Sequence, residues 1–180
     1  TTCRALAEDV VALLAERLRL SPIITSRERI VPGGENYPVD QDSLLHEQQR
    51  LAAEFRTELT TIQSIWALCG SGTREALAET RDENDDRIVG CGLPLSFVRR
   101  VIARGWVSTL DDLLERRLML LFDPDLSVED LQQLADCLEN AGRIDPDTAA
   151  HAVTASVERL GELFGKRVTL RTPQLTTNDG

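Results

Sequence analysis

The stretch STLDDLLERR (residues 108–117) mixes leucines with charged side chains, and its charges either perform chemistry or stabilise a helix. Thr109 suits a helix N-cap, and Asp112 three residues later completes a capping box in which Asp replaces the usual Glu. Asp112 and Arg116 form an i,i+4 pair worth about 0.3–0.5 kcal/mol. The leucines share one side of the helix and predict a buried stripe: Leu110, Leu113, Leu114, Leu118 and Leu121. The charges therefore stabilise a helix, and no catalytic role is required of them.

Helical spacing of apolar residues recurs along the whole chain. It predicts helices over residues 4–20, 44–68, 74–78, 94–106 and 109–121, with a break near residues 60–61, and two more that begin after Ser127 and Asp145. The composition agrees, because 42% of the residues are hydrophobic but only 4% are aromatic, and strands are enriched in aromatic and β-branched residues. We therefore predict an all-α fold, a multi-helix bundle of about six to eight helices.

Residues 21–45 differ from their surroundings, because prolines and paired glycines interrupt any helical period. Loops of more than about 15 residues are uncommon inside a compact domain, so this segment is predicted to be a linker. The chain then divides into a first helix with its linker (residues 1–45), a helical domain (residues 46–170) and a flexible tail (residues 171–180). The first helix begins without an initiator Met, and we expect the chain to be part of a longer one.

The net charge of -10 excludes several classes of partner. An acidic chain lacks the basic patch of a nucleic-acid-binding protein, so we predict no nucleic-acid binding. No predicted helix combines a Lys/Arg-rich face with a broad aromatic face, so we predict no direct membrane insertion. No apolar run approaches the roughly 20 residues of a membrane-spanning helix. The four cysteines lack metal or redox spacing, and they predict reduced thiols in the cytoplasm: Cys3, Cys69, Cys91 and Cys137.

Several residue patterns resemble sites but lack an essential member. Two sets have calcium-ligand spacing without the required Gly and Glu: Asp82, Asn84 and Asp86, and Asp123, Asp125, Ser127 and Glu129. The GSG at residues 70–72 follows a helix rather than a strand, so it predicts a capping turn and not a phosphate cradle. His46 and His151 are far apart in the sequence. The residues alone therefore predict no catalytic group and no metal site.

Four stretches, in collinear order, resemble segments of the FAD-dependent glycerol-3-phosphate dehydrogenases and oxidases. TTCRALAEDVVALLAERL (residues 1–18) resembles the end of their flavin domain and keeps its paired threonines, Arg4, Ala7 and Glu8. TSRERIVPGG (residues 25–34) is similar to a Thr…Leu-Pro-Gly stretch, and SIWALCGSGTREAL (residues 64–77) to a Tyr-Gly-Ser helix junction. LPLSFVRRVIARGWVSTLDDLLERRLML (residues 93–120) resembles their C-terminal Thr-Leu-x-Asp-x-Leu-x-Arg-Arg helix. The resemblance thus covers nearly the whole chain.

The resemblance implies a parent enzyme that oxidises sn-glycerol 3-phosphate to dihydroxyacetone phosphate by hydride transfer to FAD and passes the electrons to a quinone, or to oxygen in oxidase relatives. The dinucleotide-binding βαβ unit is absent from these 180 residues. This chain is therefore expected to be the C-terminal helical cap domain, with residues 1–45 a remnant helix of the FAD-binding domain and its linker. By the same resemblance Thr1, Thr2 and Arg4 approach the flavin in the parent, whereas the isolated fragment is predicted to bind no FAD and to be inactive.

The same resemblance implies two partners, the chain's own N-terminal FAD domain and the quinone pool. Association into a homo-oligomer is a further possibility. The parent would be a cytoplasmic enzyme peripherally associated with the inner membrane. Three positions depart from the family pattern: Cys3 replaces Tyr, Gly105 replaces Glu and Leu118 replaces Thr. These departures leave the identity of the electron acceptor open. Two alternatives stand beside this interpretation, a free-standing helical interaction module and an autonomous helical enzyme, and the missing catalytic constellation disfavours the second.

Overall fold

A computed structural model describes residues 2–21, 26–80, 86–88 and 90–171, and seven α-helices run through them. They are α1 (Thr2–Leu18), α2 (Gln41–Phe55), α3 (Leu59–Cys69), α4 (Thr73–Glu79), α5 (Leu95–Arg104), α6 (Val128–Asn140) and α7 (Pro146–Phe164). A π-helix (Asp112–Arg117) lies between α5 and α6. Within these ranges no β-sheet forms, and only isolated bridges join Arg87 to Pro94 and Ser127 to Thr169. The predicted all-α multi-helix bundle is confirmed.

The hydrophobic core is built by α2 to α7 and by the π-helix. Helix α6 packs on α7 and α5, and α3 packs on α2 and α4. The Arg100–Glu79 ion pair links α5 to α4. The largest side chains with no more than 2% exposure come from α2, α3, α5, the π-helix, α6 and the loop before α5: Leu51, Ile62, Ile65, Ile88, Leu93, Phe97, Ile102, Leu113, Leu114, Leu131, Leu134 and Leu138. Because full burial of such a side chain contributes roughly 1.5–3 kcal/mol, this cluster supplies most of the stability.

The break between α2 and α3 falls at residues 56–58, not near residues 60–61 as predicted. Arg56 takes the left-handed conformation (φ 51°), and its N–H group bonds to the carbonyl of Ala52, which ends α2. Helix α2 starts earlier than predicted, because the Asp40 carboxylate accepts the N–H of Ser43 at 2.7 Å. The end of the predicted linker is therefore helical.

Helix α5 is shorter at both ends than the predicted helix over residues 94–106. Pro94 has extended backbone angles and stands at the N-cap, one residue before the first turn in which it was predicted. Gly105 ends the helix, and Trp106 follows in the left-handed conformation (φ 51°). An apolar pattern does not reveal such an end, because Val107 continues the buried stripe beyond it.

Part of the predicted linker packs on α3. The carbonyl of Gly33 accepts the N–H of Ser71 at 2.9 Å. The Trp66 indole N–H donates to the Tyr37 hydroxyl at 3.0 Å, and the two ring centroids lie 5.6 Å apart. Residues 33–37 therefore contact the helical body, and the division into two domains stays a prediction.

Candidate functional site

The residues that the family resemblance assigns to the flavin lie at the start of α1. Thr1 is outside the described residues, and of Thr2 the structure describes only the backbone, which begins α1. The Arg4 guanidinium donates to the carbonyl of Arg29 at 2.6 Å. Arg4 therefore ties α1 to the turn formed by Ser26–Glu28, a contact that the sequence pattern did not indicate.

A second polar contact lies one turn further along α1. The Glu8 carboxylate accepts the N–H of Ser26 at 2.7 Å and its hydroxyl at 2.6 Å. The hydroxyl bond, with the N–H bond next in importance, lowers the pKa of Glu8, so this carboxylate is charged at neutral pH. Ala15 is buried on the same side of α1. At 3.6 residues per turn, Arg4, Glu8 and Ala15 fall within about 40° of arc, so a narrow and mostly polar edge faces the rest of the chain.

The opposite side of α1 is a broad apolar face that we call the α1 face. Six large side chains form it, each 39–65% exposed: Leu6, Val10, Val11, Leu13, Leu14 and Leu18. They span about 160° of arc, wide enough for a helix that packs on a core, and the exposed Arg17 is the one charged side chain within that arc. Monomeric soluble proteins rarely leave a contiguous apolar patch of this kind uncovered, and such patches mark interaction sites. The spacing predicted the apolar face, but it did not show that this face points away from the chain's own core.

Removing α1 tests how weakly it is attached. We expect deletion of residues 1–21 to lower the melting temperature by less than about 2 °C, because α1 buries only Ala15 among its described side chains. Deletion of residues 1–40 should cost more, since it also removes the contacts of Gly33 and Tyr37 with α3. Thermal unfolding followed by circular dichroism gives both values. A drop of more than about 5 °C on the shorter deletion would show that α1 belongs to the core.

The predicted Thr109 cap and Asp112–Arg116 pair both form around the π-helix. The Asp112 N–H donates to the Thr109 hydroxyl at 3.1 Å, so Thr109 caps the helix. The Asp112 carboxylate accepts the Ser108 hydroxyl at 2.9 Å, one residue further back than in a capping box, and this bond lowers its pKa. Arg116 pairs with Asp112 at 2.8 Å, as predicted. The predicted leucine stripe is buried, with Leu121 half-buried.

Two further acids of this segment bind α7. The Asp111 carboxylate accepts the Ser156 hydroxyl at 2.6 Å, and its other oxygen lies 3.6 Å from the Arg159 guanidinium. The Glu115 carboxylate accepts two bonds from Arg159, at 2.7 and 3.3 Å. Asp111 and Glu115 therefore fasten the π-helix to α7, a role that their position on a helix did not reveal.

Replacing Asp111 by asparagine tests this structural role. The amide keeps one oxygen for Ser156 but loses the charge near Arg159, so we expect a loss of roughly 0.3–1 kcal/mol in the free energy of unfolding. Urea unfolding measures it. An unchanged free energy of unfolding would contradict the structural role of Asp111.

Asp130 is the most buried charged side chain among the described residues, at 1% exposure. Its carboxylate accepts the hydroxyl and N–H of Ser127 at 2.8 and 2.9 Å, the N–H of Gly90 at 3.0 Å and the Arg171 guanidinium at 2.9 Å. Burial alone raises the pKa of Asp130, but the bonds from Ser127, Gly90 and Arg171 outweigh it and hold the pKa below its usual range. With both oxygens occupied, this carboxylate anchors structure and is poorly placed to act as a base.

The cysteines and histidines offer no activated nucleophile in the described residues. Burial raises the pKa of Cys91 to about 11 and also raises that of Cys69, so both thiols stay protonated at neutral pH. His46 on α2 and His151 on α7 are exposed. The His151 Nδ1 atom lies 2.7 Å from the carbonyl of Asp147 in its own helix. No hydrogen bond within the described ranges joins the two histidines.

The other patterns singled out from the sequence form structural elements or fall outside the described ranges. The GSG at Gly70–Gly72 forms a 3-10 turn between α3 and α4, as predicted for a capping turn. Asp82 and Asn84 are not among the described residues, while Ser127 caps α6 and Glu129 accepts the N–H of Arg171 at 3.0 Å. In the part of the chain that the structure covers, no group of three or more metal-ligating side chains occurs, and no helix has the length and apolarity to cross a bilayer.

The α1 face is thus the candidate functional site, an apolar docking surface held in place by a polar edge. Comparison of the chain with protein-family models, with curated proteins and with solved structures finds no match.

Proposed function

We propose that this chain is the C-terminal helical domain of an FAD-dependent enzyme that oxidises sn-glycerol 3-phosphate to dihydroxyacetone phosphate and delivers the electrons to a quinone. In this proposal the domain acts as a lid and docking element and carries no catalytic group. The observation that supports it is the α1 face, which lies within the stretch (residues 1–18) that resembles the end of the family's flavin domain.

The energetics of the α1 face favour a partner. Apolar surface contributes roughly 25 cal/mol per Å² when it leaves water, so covering six half-exposed side chains stabilises a complex by several kcal/mol before the costs of association. The polar edge of α1 meanwhile leaves the face open, because the bonds of Arg4 and Glu8 are made on the other side of the helix. A flavin domain that packs against the α1 face would complete the core that this helix lacks.

The described residues do not fit FAD by themselves. A dinucleotide site needs a glycine-rich turn between a strand and a helix, whereas Gly70–Gly72 joins two helices and the described ranges hold no sheet. Arg4, which the family resemblance places near the flavin, is bonded to Arg29. We therefore assign no step of the reaction to residues of this chain, and the flavin would be held by the partner domain.

A pair of matched substitutions in the full-length protein tests the proposal. Leu13→Asp places a charge in the α1 face, and Leu163→Asp places one on α7 at a leucine of similar exposure, 59% against 52%. We expect Leu13→Asp to lower the melting temperature by about 5 °C or more and to release FAD, because an unpaired charge would be buried between the domains. The control should behave as the unmodified enzyme. Equal melting temperatures for both variants would contradict docking through α1.

A free-standing interaction module is the second candidate, and the same exposed α1 face favours it. The coding sequence before Thr1 separates the two functions. A region of about 350 residues that opens with a GxGxxG motif supports the dehydrogenase. A start codon at that point would exclude it, and the α1 face would then belong to a contact with a separate protein.

A further inference from the structure

Trp106 stands almost entirely in solvent, with 94% of its surface exposed. Its backbone is left-handed (φ 51°), a conformation that costs a residue other than glycine roughly 1 kcal/mol. The turn around it is tightly built, because a Cβ atom at Gly105 would lie 2.5 Å from the carbonyl oxygen of Val101, and Val107 is buried directly after it. The protein therefore holds a large aromatic side chain outward on a well-anchored turn.

The surroundings of Trp106 are positively charged in an otherwise acidic protein. Residues 95–119 contain five arginines and three acids, whereas the chain as a whole carries -10. The 60% exposed Arg104 pairs with Glu79 at 2.8 Å, but Glu79 also binds Arg100, so this group keeps an excess positive charge. The exposed Arg143 reaches the end of α5 by donating to the carbonyl of Ile102 at 3.4 Å. Trp106 with Arg104 and Arg143 forms what we call the Trp106 prong. Trp and Arg are the residue types most enriched where binding energy concentrates in interfaces.

An acidic cavity lies elsewhere on the molecule, beside the start of α4. Its volume is about 570 Å³, within the range of ligand pockets and larger than an indole ring. Three glutamates line it, Glu35, Glu47 and Glu75, together with Pro38 and the small exposed edge of Trp66, which is 5% exposed. Arg74, the one arginine in the lining, pairs with Glu54, and Glu47 pairs with Arg50. Glu35 and Glu75 therefore supply the excess negative charge. The cavity therefore presents negative charge around an apolar wall, and we call it the acidic cavity.

We propose that the Trp106 prong of one molecule inserts into the acidic cavity of a second copy of this chain. The indole would pack on Pro38, while Arg143 and the Arg104 group, with its excess positive charge, would face Glu35 and Glu75. The complementary charges select this occupant, because both halves of the contact occur on the same chain and carry opposite signs. Joining two different patches makes the contact heterologous, so copies add head to tail and form a closed ring or an open filament, depending on the rotation between neighbours. This assembly does not involve α1 and is independent of the proposed enzymatic function.

Sedimentation velocity across a range of protein concentrations tests the contact. An interface with one buried aromatic side chain binds weakly, so we expect association to become visible at roughly 100 μM protein in low salt. About 0.5 M NaCl should reverse it, because salt screens the attraction between the two charged surfaces. Trp106→Ala should weaken association about 30-fold or more, whereas Phe122→Ala, which removes another exposed aromatic ring, should leave it unchanged. A protein that stays monomeric, or a Trp106→Ala variant that associates like the unmodified chain, overturns the proposal. The second result would indicate association through another surface such as the α1 face.

Mixing two defective variants gives a sharper result. Trp106→Ala keeps the acidic cavity but lacks the prong, and Glu75→Arg keeps the prong but reverses a charge of the cavity. Each should be monomeric alone, and an equimolar mixture should form 1:1 pairs and nothing larger. Trp106→Gly should repeat the behaviour of Trp106→Ala with no loss of melting temperature, because glycine tolerates the left-handed backbone. A mixture that remains monomeric contradicts the assignment of prong and cavity.

Discussion

Replacing Gly70 by alanine is expected to lower the free energy of unfolding by about 2–4 kcal/mol, one of the largest losses from adding a single methyl group to this chain. A Cβ atom at Gly70 would lie 2.1 Å from the carbonyl oxygen of Gly33, far inside van der Waals contact. That oxygen also accepts the N–H of Ser71, so backbone must move and the bond is lost. The backbone of Gly70 (φ 55°, ψ -135°) lies in a positive-φ region that favours glycine, and it adds roughly 1–3 kcal/mol for any residue with a side chain.

Gly72→Ala is the matched control, two residues away in the same turn. No atom lies within 4 Å of its added Cβ, and its φ of -69° suits alanine. We expect it to change stability by less than about 0.5 kcal/mol, while Gly70→Ala lowers the melting temperature by about 5–15 °C. Thermal and urea unfolding of both variants provide the comparison. If the two variants unfold alike, the close approach of Gly33 and Gly70 does not hold residues 33–37 on α3.

The helices could be predicted from the sequence because their causes are local. A stripe such as Leu110, Leu113 and Leu114 is set by the helical period, and the Ser127–Asp130 capping box needs only a spacing of three residues. The α1 face followed from the same rule. Its direction did not, because an amphipathic pattern states which residues share a side and not which side meets the chain's own core.

The missed features all depend on residues far apart in the chain. The Gly33–Gly70 approach, the Ser156 bond to Asp111 and the Arg171 pair with Asp130 join residues separated by 37 to 45 positions. The chain has 20 basic and 30 acidic residues, so the sequence alone does not show which of them pair. Arg171 was predicted to begin a flexible tail, but it is bonded to α6, and residues 172–180 of that tail lie outside the described ranges.

The exposed Trp106 was likewise not indicated by its neighbours. Its position continues an apolar pattern that on each side belongs to the core, with Ile102 and Val107 both buried. Only the left-handed turn after Gly105 rotates the side chain outward. The exposure of Trp106 therefore depends on its own backbone conformation, which the apolar pattern does not specify.

Asp130→Asn is expected to lower the free energy of unfolding by about 2–3 kcal/mol at neutral pH. Breaking a buried ion pair costs about 3–5 kcal/mol, and we expect less here because Arg171 is 31% exposed. The asparagine amide would point an N–H group toward donors that now share the carboxylate, namely Ser127, Gly90 and Arg171. Three segments would loosen together: the loop at Gly90, the start of α6 and the segment that ends at Arg171.

The pH dependence separates lost charge from lost packing. The folded-state pKa of Asp130 lies below its ordinary value of 3.8, so its charged form stabilises the fold at any pH above that value. This stabilisation falls as the pH drops through the folded-state pKa. The gap in unfolding free energy between the unmodified protein and Asp130→Asn should therefore be full at pH 7 and narrow below about pH 4. A gap that keeps the same size in acid would indicate a loss of packing instead.

Asp145→Asn is the control for this prediction, because Asp145 also caps a helix but is exposed. Its carboxylate accepts the N–H of Thr148 at 2.8 Å, and asparagine is an equally good N-cap. Urea unfolding of the two variants at pH 7 should show a loss for Asp130→Asn at least three times that for Asp145→Asn, since only Asp130 combines burial with a cationic partner. Comparable losses would mean that the Arg171 contact adds nothing beyond an ordinary cap, and the C-terminal segment would then not be fastened to α6 by this carboxylate.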